Sequence, residues 1–149
     1  MNTRDIDRFI RADKPCRGIF QGVFSIDTLP DKPRLLVCNT DPSNKPGKHW
    51  IAIFVDSKRR GEYFDSFGRK PAKAFENYMN EHCADWMFNA KQLQSIVSNC
   101  CGFYCCFYCA LRCRGFDLTR VVKIFTGDTG FNDSIVQGFV CDDNGFSVD

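Results

Sequence analysis

The chain has 149 residues, 44% of them hydrophobic, and a formal net charge of +2. This length and composition suit one domain over residues 1–149, with a polar, flexible tail over 142–149. The small net charge does not indicate a nucleic-acid partner. No apolar stretch reaches the roughly 18 residues that a membrane span needs, and the charged N-terminus lacks the apolar region of a secretion signal. We therefore expect an intracellular protein.

The first half of the chain shows alternating helix and strand patterns. Apolar residues on one face predict a helix over about Thr3–Ala12, ended by Pro15. Pro, Gly and Asn in the stretch Asp41–Gly47 predict a loop. Strands or extended segments are predicted over Gly18–Phe24, Arg34–Asn39, His49–Val55 and Glu62–Asp65.

The second half is mainly helical. Pro71 suits the first position of a helix that runs to about His82. The segment Cys101–Cys113 is apolar on all sides, which predicts a buried helix. Other predicted elements are a short strand over Lys91–Gln94 and helices over Asp117–Phe125 and Asn132–Gly138. These elements predict an α+β fold, in which a small mixed β-sheet is flanked by helices around a buried central helix.

Ten cysteines are many for this length. Four of them recur every fourth residue through the predicted buried helix, at positions 101, 105, 109 and 113. Neighbours in such a column point alongside each other, which disfavours disulfides among them. With no secretion signal, we interpret most of these thiols as small buried side chains in a reducing compartment.

His49 and Asp65 are predicted to meet across a β-hairpin. A tight turn centred on residue 57 would place Asp65 opposite His49. A carboxylate there can accept an imidazole N–H and fix the tautomer of the ring. Asp56 is a rival carboxylate, but its place beside the turn favours a solvated role. Taken singly, a histidine on a strand is more often structural, and an aspartate at a strand end usually caps a turn.

Cys101 falls at the start of the predicted buried helix. Unsatisfied N–H groups and the helix dipole stabilise a thiolate there, and a neighbouring imidazolium lowers the thiol pKa further. Gly102 lets a substrate or the histidine approach closely. Cys100 is a rival nucleophile that lacks a following glycine and lies roughly 100° away around the helix.

Gln94, seven residues before Cys101, could donate its side-chain amide to a tetrahedral oxyanion. A donor of this kind is typically worth ~10²–10³ in rate. Gln92 and Gln94 could also be plain surface residues. The combination is stronger than its parts: histidine, aspartate, glutamine and cysteine in this order indicate a cysteine protease that is not papain-like, because papain-like enzymes place glutamine and cysteine before histidine.

Three segments carry a resemblance to a known family. They are His49-Trp-Ile-Ala-Ile-Phe, Tyr63-Phe-Asp-Ser-Phe-Gly68, and Gln94 with six residues before Cys101-Gly-Phe-Tyr-Cys-Cys106. The chain resembles adenain, the adenovirus-type cysteine endopeptidase family, whose core is similar to that of the SUMO and ubiquitin-like-protein proteases. The seven-residue step from glutamine to cysteine looks like adenain, since the cellular enzymes usually have six. Weaker similarity runs from about Ile6 to Val140.

The resemblance implies an adenain-like fold and a cysteine-type endopeptidase. His49 would be the general base, Asp65 its orienting carboxylate, Cys101 the nucleophile and Gln94 the oxyanion donor, with no cofactor required for the chemistry and no metal. The family favours small residues, especially glycine, at the scissile bond. Its members process viral capsid and core precursors in the host nucleus and the virion. We expect a monomer that acts on polypeptides and does not bind membranes.

The chain departs from the family in two ways. It has Asp65 where the adenoviral enzymes mostly carry glutamate, and it stops at Asp149, short of their C-terminal region. Those enzymes are stimulated by viral DNA and by a viral peptide that is disulfide-linked to a cysteine. Cys83 lies in the comparable region, but it could equally be an ordinary helix-end cysteine. A basic patch for DNA would consist of Lys58, Arg59, Arg60, Arg69, Lys70 and Lys73.

Other functions compete with a viral endopeptidase. A deconjugating protease would share the mechanism but cleave after the C-terminal diglycine of a folded ubiquitin-like modifier. A non-enzymatic metal module could use Cys106 and Cys109, but the cysteines form no second pair with that spacing, and a structural zinc site normally needs four ligands. An inactive relative kept for binding is a third alternative, which the presence of all four site residues disfavours.

Overall fold

The chain folds around a five-stranded mixed sheet. The structure, a computed structural model, describes residues 1–41, 43–44 and 49–142. Its elements are α1 (Thr3–Ala12), α2 (Lys14–Arg17), β1 (Phe20–Ser25), β2 (Leu35–Asn39), β3 (Trp50–Val55), β4 (Arg60–Phe64), α3 (Lys73–His82), β5 (Asp85–Phe88), α4 (Cys101–Arg112), α5 (Leu118–Lys123) and α6 (Thr129–Cys141). The strands lie in chain order; β1 and β2 pair in parallel, as do β4 and β5, while β3 is antiparallel to both its neighbours. The predicted α+β class is confirmed.

Two apolar clusters lie on opposite faces of the sheet. Strand side chains point alternately to the two faces, and β2 is buried at all five of its positions. Leu35 and Val37 join the cluster formed with α4, whereas Leu36 and Cys38 join the cluster formed with α3. Full burial of one such aliphatic side chain stabilises the fold by about 1.5–3 kcal/mol. The sheet is therefore held from both sides, which fixes the strand ends that carry the site.

Helix α4 is the buried central helix that the apolar pattern predicts. Ten of its twelve residues are buried. The Tyr108 ring stacks on Phe64 of β4 with 4.8 Å between centroids, which ties the helix to the sheet. All ten cysteines are free, and eight of them are buried. The interpretation of most thiols as small core side chains is confirmed.

Polar caps set several helix boundaries. Asn2 and Asp5 form a reciprocal capping box at the start of α1. Asp117 caps α5 as predicted, and Asp128 caps α6, which therefore begins three residues before the predicted start at Asn132. Pro15 does not end α1; α1 ends at Ala12, and Pro15 lies in the first turn of α2.

Other element predictions were also wrong. The Lys91–Gln94 segment is not a strand, because the Leu93 and Gln94 N–H groups both bond to the single carbonyl of Ser66 and form no ladder. The strand beside β4 is instead β5, a four-residue edge strand with no fully buried side chain. Pro71 lies two residues before α3, not at its first position.

Some predictions fall partly outside the described residues. The Asp41–Gly47 loop is described only at 41, 43 and 44, and of the 142–149 tail only Asp142 is described. Among the residues that are described, no helix is long and apolar enough to cross a membrane.

Candidate active site

His49 and Asp65 form a close pair beside the ends of β3 and β4. The distance from His49 Nε2 to Asp65 Oδ1 is 2.7 Å. Both side chains are largely buried, with 12% of His49 and 6% of Asp65 exposed. In the neutral ring this contact places the proton on Nε2, so Nδ1 is left as the basic nitrogen. Nδ1 is buried and makes no regular hydrogen bond within the described part of the chain.

The pairing register differs from the predicted one by two residues. Ala52 faces Phe64 and Ile53 faces Tyr63. Continued by one pair, this register sets Asp65 opposite Ile51 and not opposite His49. Because the shift is two residues, His49 and Asp65 keep the same face and meet as a diagonal pair, still within side-chain reach. The predicted contact is present, but the predicted one-to-one opposition was wrong.

The backbone of Asp65 is clamped on both sides. Its N–H donates to Asn89 Oδ1 at 2.9 Å, and its carbonyl accepts from Asn89 Nδ2 at 2.6 Å. The carboxylate also accepts the Phe67 N–H at 2.8 Å, and Gly68 N–H closes the turn onto the Asp65 carbonyl. The carboxylate is therefore aimed at His49 by a rigid turn rather than by a free rotamer. Asn89 is a supporting residue that the sequence analysis missed.

Cys101 is the first residue of α4 and lies beside His49. The first N–H groups of a helix have no partner within the helix, and the positive end of the helix dipole is there. Burial raises the pKa of the Cys101 thiol. Interactions with His49 and with the backbone N–H groups of Trp50 and Gly102 lower it by more, so the pKa is lowered overall. The structure thus favours a thiolate at this position.

The pKa of the His49 imidazole is shifted in the opposite direction, upward. Burial lowers the pKa of His49, but hydrogen bonding to Asp65 and interaction with the Cys101 sulfur outweigh it and raise the pKa to about 9. A lowered thiol pKa and a raised imidazole pKa together favour a thiolate–imidazolium pair. Since Nε2 is engaged by Asp65, Nδ1 is the nitrogen available to exchange a proton with the thiol.

Gln94 is fully buried. Its Oε1 accepts a hydrogen bond from Ser66 Oγ at 2.6 Å, and its Nε2 donates to the Ser98 carbonyl at 3.0 Å. These contacts exclude the alternative that Gln94 is a plain surface residue. Gln92, by contrast, is exposed, and its amide donates to the Gln94 carbonyl.

A cavity of about 200 Å³ opens beside the thiol. Its walls are Met1, Trp50, Phe67, Gln94, Ser98, Asn99 and Cys101. The Phe67 ring also packs on the His49 imidazole with 4.8 Å between centroids. The backbone N–H of Trp50 interacts with the Cys101 thiol, and Trp50 also forms part of the cavity wall. The cavity brings Cys101 and Gln94 to one surface.

The rival residues lie elsewhere. Cys100 accepts a hydrogen bond from Gln137 of α6 at 3.2 Å, and burial raises the pKa of its thiol. Asp56 caps the turn between β3 and β4 by accepting the N–H groups of Lys58 and Arg60. In the described ranges no group of three or more His, Cys, Asp or Glu is arranged to hold a metal ion.

Comparisons with known proteins find sequence similarity to two viral proteases. It is 29% identical over 102 residues to the protease of bovine adenovirus 4, a match that covers 57% of this chain and 51% of that protein. It is 58% identical over 40 residues to the cysteine protease of African swine fever virus, which covers 24% of this chain and 14% of that protein. The chain is similar in sequence to parts of these two viral proteases. The predicted resemblance to adenain is confirmed.

A solved structure agrees on the fold. The crystal structure of the African swine fever virus protease superposes with a TM-score of 0.64 at 21% identity, over 91% of this chain and 66% of that chain. No family model matches the chain. The chain spans about half the length of the adenovirus protease, and a smaller part of the swine fever virus protease, in the matched sequences.

The residues that the resemblance links to activation are a buried cysteine, Cys83, and two separate groups of basic residues. Cys83 follows the last residue of α3, is 6% exposed, and packs its sulfur against Gly61. The basic residues divide along the chain into two groups: Lys58, Arg59 and Arg60 lie just before and at the start of β4, whereas Arg69, Lys70 and Lys73 follow it. Arg60 and Lys73 are paired with Asp56 and Glu76. Activation by a peptide disulfide and by DNA stays a prediction.

Proposed function

We propose that this chain is a cysteine endopeptidase. One observation carries the proposal: a buried Asp65–His49 pair, 2.7 Å between Oδ1 and Nε2, lies against a thiol at the N-terminus of a buried helix, where the thiol pKa is lowered. Gln94 lines the same cavity. A nucleophile, a base, an orienting carboxylate and an amide donor are together the machinery of acyl transfer.

Acylation would begin from the thiolate–imidazolium pair. The Cys101 sulfur attacks the scissile carbonyl carbon, and the carbonyl oxygen becomes an oxyanion. The Gln94 Nε2 and the Cys101 backbone N–H would donate hydrogen bonds to that charge, and one donor of this kind is typically worth ~10²–10³ in rate. His49 Nδ1 gives its proton to the departing amine, which leaves a thioester on Cys101.

Deacylation would use the same groups in reverse. Neutral His49 takes a proton from a water molecule at Nδ1, and the resulting hydroxide attacks the thioester carbon. Collapse of the second tetrahedral intermediate releases the carboxylic acid product and returns the sulfur to the thiolate. Asp65 stabilises the imidazolium in both half-reactions and prevents the ring from turning.

The narrow site supports a preference for small residues. A cavity of about 200 Å³ walled by Trp50 and Phe67 is smaller than the roughly 300–1,000 Å³ of typical small-molecule pockets. An extended peptide with glycine beside the scissile bond would bring its carbonyl to the thiol without side-chain clashes. Because the matched relatives are viral proteases, we propose precursor proteins of a virus particle, in the host nucleus or the virion, as the substrates.

The test is hydrolysis of quenched fluorogenic peptides. Two peptides that differ only at the scissile dipeptide, Gly-Gly or Leu-Leu, would be incubated with reduced protein and with Cys101→Ser and Cys141→Ser variants. Cys141 is the matched control because it is an exposed cysteine in α6. We expect cleavage of the Gly-Gly peptide by the wild type and the control variant, and none by Cys101→Ser.

Equal cleavage of both peptides would contradict the proposed preference but not the chemistry. Cleavage that survives Cys101→Ser would contradict the proposed chemistry. A third substrate in the same assay is a folded ubiquitin-like modifier whose chain continues beyond its C-terminal diglycine. Its cleavage without cleavage of either peptide would favour the deconjugating alternative.

A further inference from the structure

Ser66 connects the two halves of the candidate site. It directly follows Asp65, is 1% exposed, and makes three contacts with the segment that carries the glutamine. Its carbonyl accepts the N–H groups of Leu93 at 2.9 Å and Gln94 at 3.0 Å. Its hydroxyl donates to Gln94 Oε1 at 2.6 Å. One dipeptide therefore contacts both the imidazole, through Asp65, and the oxyanion donor, through Ser66.

The orientation of the Gln94 amide follows from these partners. The Ser98 carbonyl can only accept, so the amide atom that faces it, at 3.0 Å, must be Nε2. Oε1 is then the atom that faces Ser66, and the Ser66 hydroxyl must be the donor. A hydrogen bond onto Oε1 also polarises the amide, which strengthens its N–H groups as donors.

The remaining contact of Nε2 shows where an oxyanion could enter. Nε2 lies 3.1 Å from Ser98 Oγ, and that hydroxyl itself donates to the Ser95 carbonyl. A negatively charged oxygen is a stronger acceptor than a hydroxyl, so the oxyanion can take the N–H that points to Ser98 Oγ while the bond to the Ser98 carbonyl persists. The Ser66 hydroxyl would hold the opposite end of the amide during this exchange.

We propose that Ser66 is a positioning residue that sets the direction and donor strength of the Gln94 amide. The inference rests on the proposed protease function. Ser66→Ala isolates the hydroxyl, because it leaves both contacts of the Ser66 carbonyl in place. Ser66→Thr keeps a hydroxyl and provides the conservative comparison. Ser134→Ala is the matched control, since the Ser134 hydroxyl donates to the Phe131 carbonyl on an exposed part of α6.

The kinetic test is a double-mutant cycle of Ser66→Ala with Gln94→Ala, with folding checked by circular dichroism. We expect Ser66→Ala to lower kcat about tenfold, the size of one lost neutral hydrogen bond, with KM nearly unchanged. Ser66→Thr should recover most of this loss. Gln94→Ala should lower kcat by ~10²–10³, and adding Ser66→Ala should lower it no further, because Ser66 acts through Gln94. The inference would be overturned if Ser66→Ala lowered kcat by the same factor in Gln94→Ala as in the wild type. It would also be overturned if Ser66→Ala left kcat unchanged.

A second readout does not depend on turnover. Nitrogen-15 NMR measures hydrogen exchange of the Gln94 side-chain amide, which we expect to be slow in the wild type and in Ser134→Ala. It should be at least about tenfold faster in Ser66→Ala. Equal exchange rates in all three proteins would overturn the inference even if no substrate is cleaved. Failure of the protease proposal would instead appear as a wild type that cleaves nothing while its amide exchange still responds to Ser66→Ala.

Discussion

His49 and Asp65 meet diagonally across the ends of β3 and β4, with 2.7 Å between Nε2 and Oδ1. Neither residue lies within a strand; His49 comes one position before β3, and Asp65 one position after β4. The sheet therefore supplies rigid neighbours, while the residues beyond its end are not constrained by strand pairing. The turn after Asp65 uses this freedom to direct the Ser66 hydroxyl toward Gln94 and to pack Phe67 on the imidazole.

Cys101 and Cys100 should respond differently to the same substitution. We expect Cys101→Ser to abolish peptide cleavage and Cys100→Ser to retain most of it. The reason is that the Cys101 thiol contacts His49, whereas Cys100 is bonded to Gln137. Hydrolysis of the Gly-Gly peptide measures both variants. The reverse pattern would reassign the nucleophile to Cys100.

The pH dependence of kcat/KM should have an alkaline limb set by His49. Its pKa is raised to about 9, so the imidazolium that protonates the leaving amine is lost as the pH rises through that value. Asp65→Asn removes a carboxylate that raises this pKa, and the limb should move to lower pH. A pH profile of kcat/KM for both proteins measures the shift. Superimposable alkaline limbs would show that Asp65 does not control the imidazole.

Folding stability should depend on the same proton. The His49 pKa rises from 6.5 to about 9 on folding, so its contribution to stability is fully present below pH 6.5 and is lost as the pH rises to about 9. Urea unfolding of the wild type and His49→Ala at several pH values measures this. The free-energy difference between them should shrink over that window, and a constant difference would contradict the raised pKa.

Gly68→Ala should disrupt the turn that carries the site. Gly68 has a φ of +69°, and a Cβ there would lie 2.5 Å from the Lys91 backbone. Gly115→Ala is the matched control, because Gly115 has a φ of +91° but an added Cβ would meet no atom within 4 Å. Both variants carry left-handed strain, but only Gly68→Ala adds a clash. We expect it to be less stable than the control by about 1–3 kcal/mol in urea unfolding. Equal losses of unfolding free energy in the two variants would show that the backbone near Lys91 moves to accommodate the added Cβ without cost.

Cys83 tests the proposed activation by a peptide disulfide. Burial raises the pKa of its thiol, and its sulfur packs against Gly61. We therefore expect slow mixed-disulfide formation between native protein and a peptide thiol, relative to the exposed Cys141. Mass mapping after a short exposure to an activated peptide disulfide measures the two rates. Rapid labelling of Cys83 would favour the activation scheme of the adenoviral enzymes.

Much of the fold was predictable because its patterns are local. The fully apolar stretch from Cys101 predicts a buried helix, and the Asp117 cap predicts the start of α5. The short edge strand β5 was missed because its four residues, Asp-Trp-Met-Phe, show no clear alternation of polar and apolar side chains. The Lys91–Gln94 strand was wrongly predicted because the segment binds one carbonyl, that of Ser66, and not a neighbouring strand.

The principal residues of the candidate site could be selected from the sequence, but their supports could not. Residue order and chemistry point to His49 and Cys101. The diagonal register of Asp65 depends on how many residues the turn after Val55 contains, which composition alone does not determine. Asn89 lies outside the three segments that carry the resemblance, and Ser66 lies inside one of them without a chemical role that its residue type indicates. The roles of both follow from contacts with residues 24 or more positions away.

Limited alkylation of the reduced native protein near pH 6, mapped by mass spectrometry, tests the central claim most directly. An ordinary thiol, with a pKa of about 8.5, is mostly protonated there, so only an activated thiolate reacts quickly with iodoacetamide. We expect fast labelling at Cys101, faster than at the exposed Cys141, and loss of that difference in His49→Ala. Labelling of Cys101 no faster than Cys141, or fast labelling that survives His49→Ala, would contradict an activated cysteine–histidine pair.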